Sequence, residues 1–329
     1  MDYLRWGILS VSHIYHLRIH HELKDSAKVK VMGIASRDKA KADSEARFLG
    51  IPKSYGSYEA LLADPEIDAV YLPLPNHLHA EWVKKAADAG KHVLCEKPFA
   101  LNAGQAQEAI DYAKAKNVHV MEAFMYRFHP QWVHARDVIR SGEIGTVTSV
   151  NVQFAYSNTN PADIRNILEK GGGGLLDIGC YAISTSRFLL SAEPKRVVAL
   201  IHRDPAFRTD VLSSAILDFG QAHAVFTVST QSAGFQRVEV LGTDGSMTIL
   251  LPYNAYDDVP VTTIITTGLG TRRVNLGPAS QYRLMFEAFS SSVLESKPVP
   301  TPPSDAVCNM KVIDAAFRSE QSGLWEAVR

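Results

Sequence analysis

In the first 122 residues, short, mostly apolar runs alternate with stretches of helical composition. Residues 4–9, 29–35, 69–72, 92–95 and 119–122 read as strands, and residues 14–23, 39–49, 79–89 and 102–116 as helices. Gly50 and Gly90 stop two of those helices, and Asn102 is placed to cap a third. Strands without polar interruptions are buried on both faces, as in parallel sheets. Strands alternating with helices of this length predict βαβ units and a doubly wound parallel sheet.

Beyond residue 122 the pattern changes. Residues 147–156 alternate apolar and polar, and so do shorter stretches at 196–201, 211–217, 224–230, 236–241, 246–250, 261–266 and 272–274. Successive alternating strands with hairpin-type turns, such as Asp244-Gly245, predict a largely antiparallel sheet. Helices are expected over residues 131–141, 282–295 and 305–321. The chain is therefore α/β overall. A Rossmann doubly wound domain at 1–122 precedes an α+β domain at 123–329 with a large, mostly antiparallel open sheet. Helices cover one face of such a sheet, and its other face is the natural surface for a homodimer.

Composition narrows the function classes. The chain has 329 residues, 46% hydrophobic and 21% charged, as in globular proteins, and its formal net charge is −1. That balance gives no basic patch for nucleic acid, so none is expected as a partner. No apolar run approaches the roughly 20 residues that span a bilayer, so no membrane partner is expected either. The first residues run directly into strand-like sequence without a signal-peptide pattern. Three widely spaced cysteines, Cys95, Cys180 and Cys308, predict reduced thiols and a cytoplasmic location, not a disulfide framework. No metal is expected, because His77 and His79 have no further ligand at metal spacing.

Candidate chemistry gathers at strand ends. The first βα turn is where a dinucleotide pyrophosphate rests on backbone N–H groups, and it usually reads G-x-G-x-x-G or A. Here it reads Ser10-Val11-Ser12-His13-Ile14-Tyr15, departing at all three glycine positions. Ser10 and Ser12 are small and can give hydroxyls to phosphate, whereas Tyr15 is expected to weaken close helix–strand packing. At the end of the second strand, Ser36 and Arg37 stand where an acidic residue would hold the ribose of NAD. A hydroxyl and a guanidinium suit the 2′-phosphate of NADP. Leu74, Asn76 and His79, in the rigid Pro73–His79 connection, are expected to contact the cofactor. The fourth strand ends at Glu96-Lys97-Pro98, where the proline holds the lysine on a defined path at the ligand crevice.

In the second domain, Gly171-Gly172-Gly173-Gly174 feeds a helix carrying Asp177 and Tyr181, four apart and so on one face. Glycine permits positive φ or close approach of the backbone. A carboxylate and a phenol together suit binding of a substrate hydroxyl and proton transfer. Taken alone, such a pair is more often a helix whose aspartate caps a loop and whose tyrosine packs in the core.

Glu96-Lys97-Pro98 and Gly174-Leu175-Leu176-Asp177-Ile178-Gly179-Cys180-Tyr181 together resemble the Gfo/Idh/MocA family of oxidoreductases. The resemblance runs from Trp6-Gly7-Ile8-Leu9 to Gly242-Thr243-Asp244-Gly245. Met121-Glu122-Ala123-Phe124-Met125-Tyr126-Arg127-Phe128-His129-Pro130 and Tyr181 make it most similar to the branch of dimeric dihydrodiol dehydrogenase and NADP-dependent D-xylose dehydrogenase. The resemblance implies NADP, with NAD as the other possibility, and hydride transfer at a carbinol or carbonyl carbon of a sugar, polyol or trans-dihydrodiol. It implies Tyr181 as acid/base, Lys97 as its electrostatic partner and Asp177 as the group that orients substrate. A free tyrosine titrates near ~10, and an adjacent ammonium favours its phenolate. Glu96 and Arg165 join the expected cofactor contacts. Tyr126, Arg127, His129 and Phe154 are expected to line the substrate pocket. Two other functions fit the same fold: a non-catalytic binder of dinucleotide or sugar that regulates a partner, and NAD-dependent redox-assisted glycoside cleavage.

Overall fold

A computed structural model describes residues 2–329. The chain divides into two compact units, one of residues 1–125 and 282–307, the other of residues 126–281 and 308–329.

The first unit starts with β1 (Leu4–Ile8), and a wide π-helical turn (Tyr15–Ile19) runs into α1 (His20–Leu23). It continues through β2 (Val29–Ala35), α2 (Lys39–Leu49), β3 (Lys53–Tyr55), α3 (Tyr58–Leu62), β4 (Ala69–Leu72) and α4 (His79–Asp88). β5 (His92–Cys95), α5 (Ala103–Ala115) and β6 (Val120–Glu122) complete it. The six strands lie in the order β3-β2-β1-β4-β5-β6 and all pair in parallel. The central strands are apolar on both faces, with all four residues of β4 buried. The strand order reverses between β1 and β4, and the loops leaving their carboxyl ends flank the crevice where doubly wound sheets bind ligands. β3 and α3 escaped the sequence reading because β3 is a three-residue, half-buried edge strand without apolar alternation.

The second unit holds α6 (Pro130–Arg140), β7 (Val147–Ser157) and a π-helical turn (Leu175–Gly179) that continues as α7 (Cys180–Leu190). β8 (Arg196–Arg203), β9 (Asp210–Asp218), β10 (His223–Ser229), β11 (Gln231–Gly242), β12 (Gly245–Ile249), β13 (Val261–Thr267) and β14 (Gly270–Leu276) follow. After α8 (Gln281–Leu294) and α9 (Ser304–Ser322), β15 (Glu326–Ala327) adds a last edge strand. The nine-stranded sheet runs β14-β13-β12-β11-β7-β10-β9-β8-β15, antiparallel except where β7 meets β10. Its alternating burial, as along β9, shows one packed face and one open face.

The division differs from the expected one at residues 282–307, which were assigned by chain order to the second domain. Phe286 and Phe289 pack on Trp6 with ring centroids 4.7 and 5.4 Å away, and Trp6 Nε1 donates to Ser290. Buried Glu22 accepts the N–H of Tyr282 at 3.1 Å, capping α8 across 260 residues of chain. Local pattern carries no trace of such long-range contacts. Among the described residues, no helix is long and apolar enough to cross a membrane.

Candidate active site

The candidate groups fall in both units, and each set is held by its own unit. In the first unit, the turn after β1 holds one residue in an unusual backbone conformation. Ser10 has φ 155°, a region that glycine adopts freely and other residues rarely. Ser12 Oγ accepts the N–H of Tyr15 at 3.4 Å and so caps the wide helix, whose first N–H groups, as at any helix start, lack partners within it. Ser10, Ser12 and Ile14 are half-buried and His13 is exposed.

Tyr15 does not loosen the packing as expected. It is fully buried, and its hydroxyl meets His20 Nδ1 at 3.0 Å, while His20 Nε2 lies 2.8 Å from the Leu49 carbonyl. The π turn begins at Tyr15 and gives its ring room against Tyr71. Relief of the Ser10 backbone is testable by itself. Strain of this kind costs about 1–3 kcal/mol, and glycine's added unfolded-state freedom returns roughly 0.5–1. Ser10→Gly is therefore expected to stabilise the protein by about 1 kcal/mol, read as a raised midpoint in urea. An unchanged or lowered midpoint would contradict the strain.

At the end of β2, Ser36 is buried and its Oγ accepts the N–H of Asp38 at 3.2 Å. Asp38, the nearest carboxylate, is committed as the N-cap of α2, accepting from the Lys41 N–H. Arg37 is exposed, and among the described residues nothing hydrogen-bonds or ion-pairs with it. An unpartnered guanidinium beside a hydroxyl, with no acidic competitor, fits a 2′-phosphate.

Three carboxyl- and ring-mediated contacts fix the path of Lys97. Glu96 accepts from the Tyr71 hydroxyl at 2.5 Å and from the Lys97 N–H at 3.2 Å. Buried Glu122 accepts the Phe99 N–H at 2.8 Å. The Lys97–Pro98 peptide is cis. His79 corrects the expectation of a cofactor contact. It is fully buried, with Nδ1 2.8 Å from the Pro98 carbonyl and Nε2 2.8 Å from the Leu74 carbonyl. Burial pushes its pKa down to about 4 against the pull of those two carbonyls. His79 is a staple between the loops after β4 and β5, and Leu74 is buried with it. Asn76 opens the short 3₁₀ turn before α4 and is half-exposed.

In the second unit, Asp177 lies in the π turn and Tyr181 in the first turn of α7. Both are largely buried. Gly179 permits the wide turn, since a Cβ there would lie 2.7 Å from Leu175 Cδ1. Asp177 Oδ2 accepts from the Tyr156 hydroxyl at 2.6 Å and from Arg165 Nε at 3.2 Å. Burial, followed by the Asp177 charge, raises the Tyr156 pKa and keeps that phenol a donor. The Asp177 charge raises Arg165, which stays cationic. Arg165 also bonds Asp163 and so bridges the Asp163 and Asp177 carboxylates.

An aromatic box aims Tyr181. Its ring lies 5.0 Å from Tyr253, 5.8 Å from Phe154 and 6.0 Å from Tyr126. Tyr253 stacks on Phe154 and is anchored through Thr185 at 3.0 Å. Tyr126 is buried with its hydroxyl 2.7 Å from Ser184 Oγ, to which Arg127 also donates. His129 is fully buried, with Nδ1 accepting the Gln131 N–H to cap α6 and Nε2 left without a hydrogen-bond partner among the described residues. Burial pushes its pKa down to about 4. Cys180 is buried and donates to the Asp177 carbonyl inside the helix. Tyr156 and Tyr253 were missed. Tyr156 was legible, because it sits two positions after Phe154 in an alternating strand and therefore shares its face.

The fold and these motifs are those of a dinucleotide-binding oxidoreductase. Residues 5–124 match the oxidoreductase family with an NAD-binding Rossmann fold, and residues 132–248 match the GFO/IDH/MocA C-terminal domain. The chain belongs to the Gfo/Idh/MocA family. It is 38% identical to an NADP-dependent D-xylose 1-dehydrogenase of Haloferax volcanii, over 88% of this chain and 89% of that one. It is 34% identical to a trans-1,2-dihydrobenzene-1,2-diol dehydrogenase of Xenopus laevis, over 74% of each chain. The crystal structure of a 3-ketoreductase from Actinomadura kijaniata with NADP and TDP-benzene superposes with a TM-score of 0.91. Its sequence identity is 28%, with 97% of this chain and 98% of that chain covered.

Proposed function

We propose that the protein is an NADP-preferring dehydrogenase or reductase that moves hydride at a carbinol or carbonyl carbon of a sugar, polyol or trans-dihydrodiol. The observation that carries this reading is the wide helix turn that holds Asp177 on Tyr156 and Arg165 and delivers Tyr181 from an aromatic box. The relatives named above act on a sugar and a dihydrodiol, which supports the substrate class.

Ser10, Ser12, His13 and Ile14 would hold the pyrophosphate, and Ser36 and Arg37 the 2′-phosphate. Nicotinamide, when bound, supplies the hydride acceptor or donor. Tyr181 takes the carbinol proton in the oxidative direction and returns it to the carbonyl oxygen in the reductive one. Lys97 contributes positive charge that favours the phenolate while the proton is away. Asp177 accepts a neighbouring substrate hydroxyl and fixes which carbon faces the hydride. The test is turnover of NADP with D-xylose and with a trans-dihydrodiol, each against a polyol lacking the ring. Absence of turnover on all three classes would contradict the proposal.

The same reading includes a homodimer through the open face of the nine-stranded sheet. Val198, Ile216 and Val225 are register partners across β8, β9 and β10, and Ile216 and Val225 are exposed. Leu200 beside them is 80% exposed, and this apolar row on the open face supports the reading. Ile216→Glu is expected to convert a dimer into a monomer in light scattering. A wild-type protein of single-chain mass would sink this part. Cytoplasmic action belongs to the reading as well, supported by three cysteines that are all free thiols.

A further inference from the structure

Asp210 lies 33 residues after Asp177 in sequence, at the first position of β9, yet its side chain is built into the start of the helix that carries Asp177 and Tyr181. It is 1% exposed. Its Oδ2 accepts the N–H of Leu175 at 2.5 Å and the hydroxyl of Ser213 at 3.1 Å. Leu175 opens the π turn, so its N–H is among the first-turn donors that no residue of the helix can satisfy. Burying a carboxylate is costly, and burial does push this one upward in pKa.

The glycine run is shaped around this contact. A Cβ on Gly173 would stand 2.0 Å from Asp210 Oδ1, and Gly173 has φ +125°. Gly174 is close on the same group, with its ideal Cβ position 3.4 Å from Asp210 Oδ2. Gly172 faces the backbone of Arg165 and Ile167 in the same way, at 2.5 and 2.8 Å from their carbonyl oxygens. The run approaches its own chain closely on both sides, and one of the two things it accommodates is the Asp210 carboxylate.

We propose that Asp210 is a positioning residue for the reaction: by fixing the first turn of the wide helix it sets where Asp177 and Tyr181 project. A helix start is free to unwind or shift to regular α-helical hydrogen bonding, and a π turn is the less common arrangement of the two. One buried acceptor on Leu175, two residues before Asp177, removes that freedom. The role needs an acceptor oxygen in place and does not need the charge, so asparagine can fill it where alanine cannot.

The inference rests on the proposed roles of Asp177 and Tyr181, and its test separates the two. Asp210→Ala is expected to lower kcat at least tenfold, with NADPH affinity within twofold of wild type and faster amide exchange confined to residues 175–181. Asp210→Asn is expected to restore kcat to within about threefold. If the alanine variant does not fold, Asp210→Ser, too short to reach Leu175, carries the same readouts. Wild-type kcat in a folded alanine or serine variant would overturn the proposal. Equal loss in the alanine and asparagine variants, together with loss of NADPH binding, would also overturn it, as that is a general folding effect. If wild type turned over no substrate, the functional reading would fail, and amide exchange at residues 175–181 would still decide what Asp210 does.

Discussion

Tyr181→Phe is expected to lower kcat by about 10²–10⁴-fold while NADPH affinity and the unfolding midpoint stay at their wild-type values. The magnitude is that of a positioned general acid or base removed from an otherwise complete site. The specificity of the loss follows from packing. The Tyr181 ring is held by Phe154, Tyr253 and Tyr126, and phenylalanine keeps every one of those ring contacts. Only the hydroxyl leaves, so KM is expected to move far less than kcat. A variant with turnover near wild type would remove Tyr181 from the chemistry and leave Asp177 and Lys97 as the acid/base candidates.

Arg37→Ala is expected to weaken NADPH binding by roughly 10- to 100-fold and to leave NADH within about twofold. A hydrogen bond to a charged group contributes about 1.5–3 kcal/mol, and 1.4 kcal/mol is tenfold in affinity. The full effect is expected because Arg37 has no internal partner to lose, so its removal disturbs nothing else among the described residues. Asp38 next to it is engaged as the α2 cap and is not available to hold the ribose of NADH in its place. An equal fall for both cofactors would mean that Arg37 stacks on adenine without reading the phosphate. No fall for either would place the 2′-phosphate elsewhere.

What the sequence made legible were the features written in local period and punctuation. The central parallel strands are mostly apolar runs, and the Asn102 and Asp38 caps stand at helix starts where side-chain oxygens satisfy free N–H groups. Lys97, Asp177 and Tyr181 were singled out from strand-end position, helical spacing and the family resemblance, and their catalytic roles are proposals. What stayed hidden depends on partners far along the chain. Glu22 on α8 and Asp210 on the Asp177 helix are both buried carboxylates that cap helices from a distance, and neither has a neighbour in sequence that announces it. His79 shows the opposite error. A polar residue beside a predicted site reads as a ligand contact, yet His79 is fully buried and gives both ring nitrogens to backbone carbonyls. Tyr15 was judged by its size alone, and the π turn that admits it leaves no pattern in composition.

The account stands on a turn that has lost every fingerprint glycine but keeps, at Ser10, a backbone conformation glycine would supply. Equilibrium fluorescence titration of the purified protein with NADPH and with NADH tests it most directly. The account predicts saturable binding of NADPH, at least tenfold tighter than NADH. Failure to bind either dinucleotide would mean that the Ser10–Tyr15 turn no longer holds a pyrophosphate, and the catalytic roles of Lys97, Asp177 and Tyr181 would fall with it.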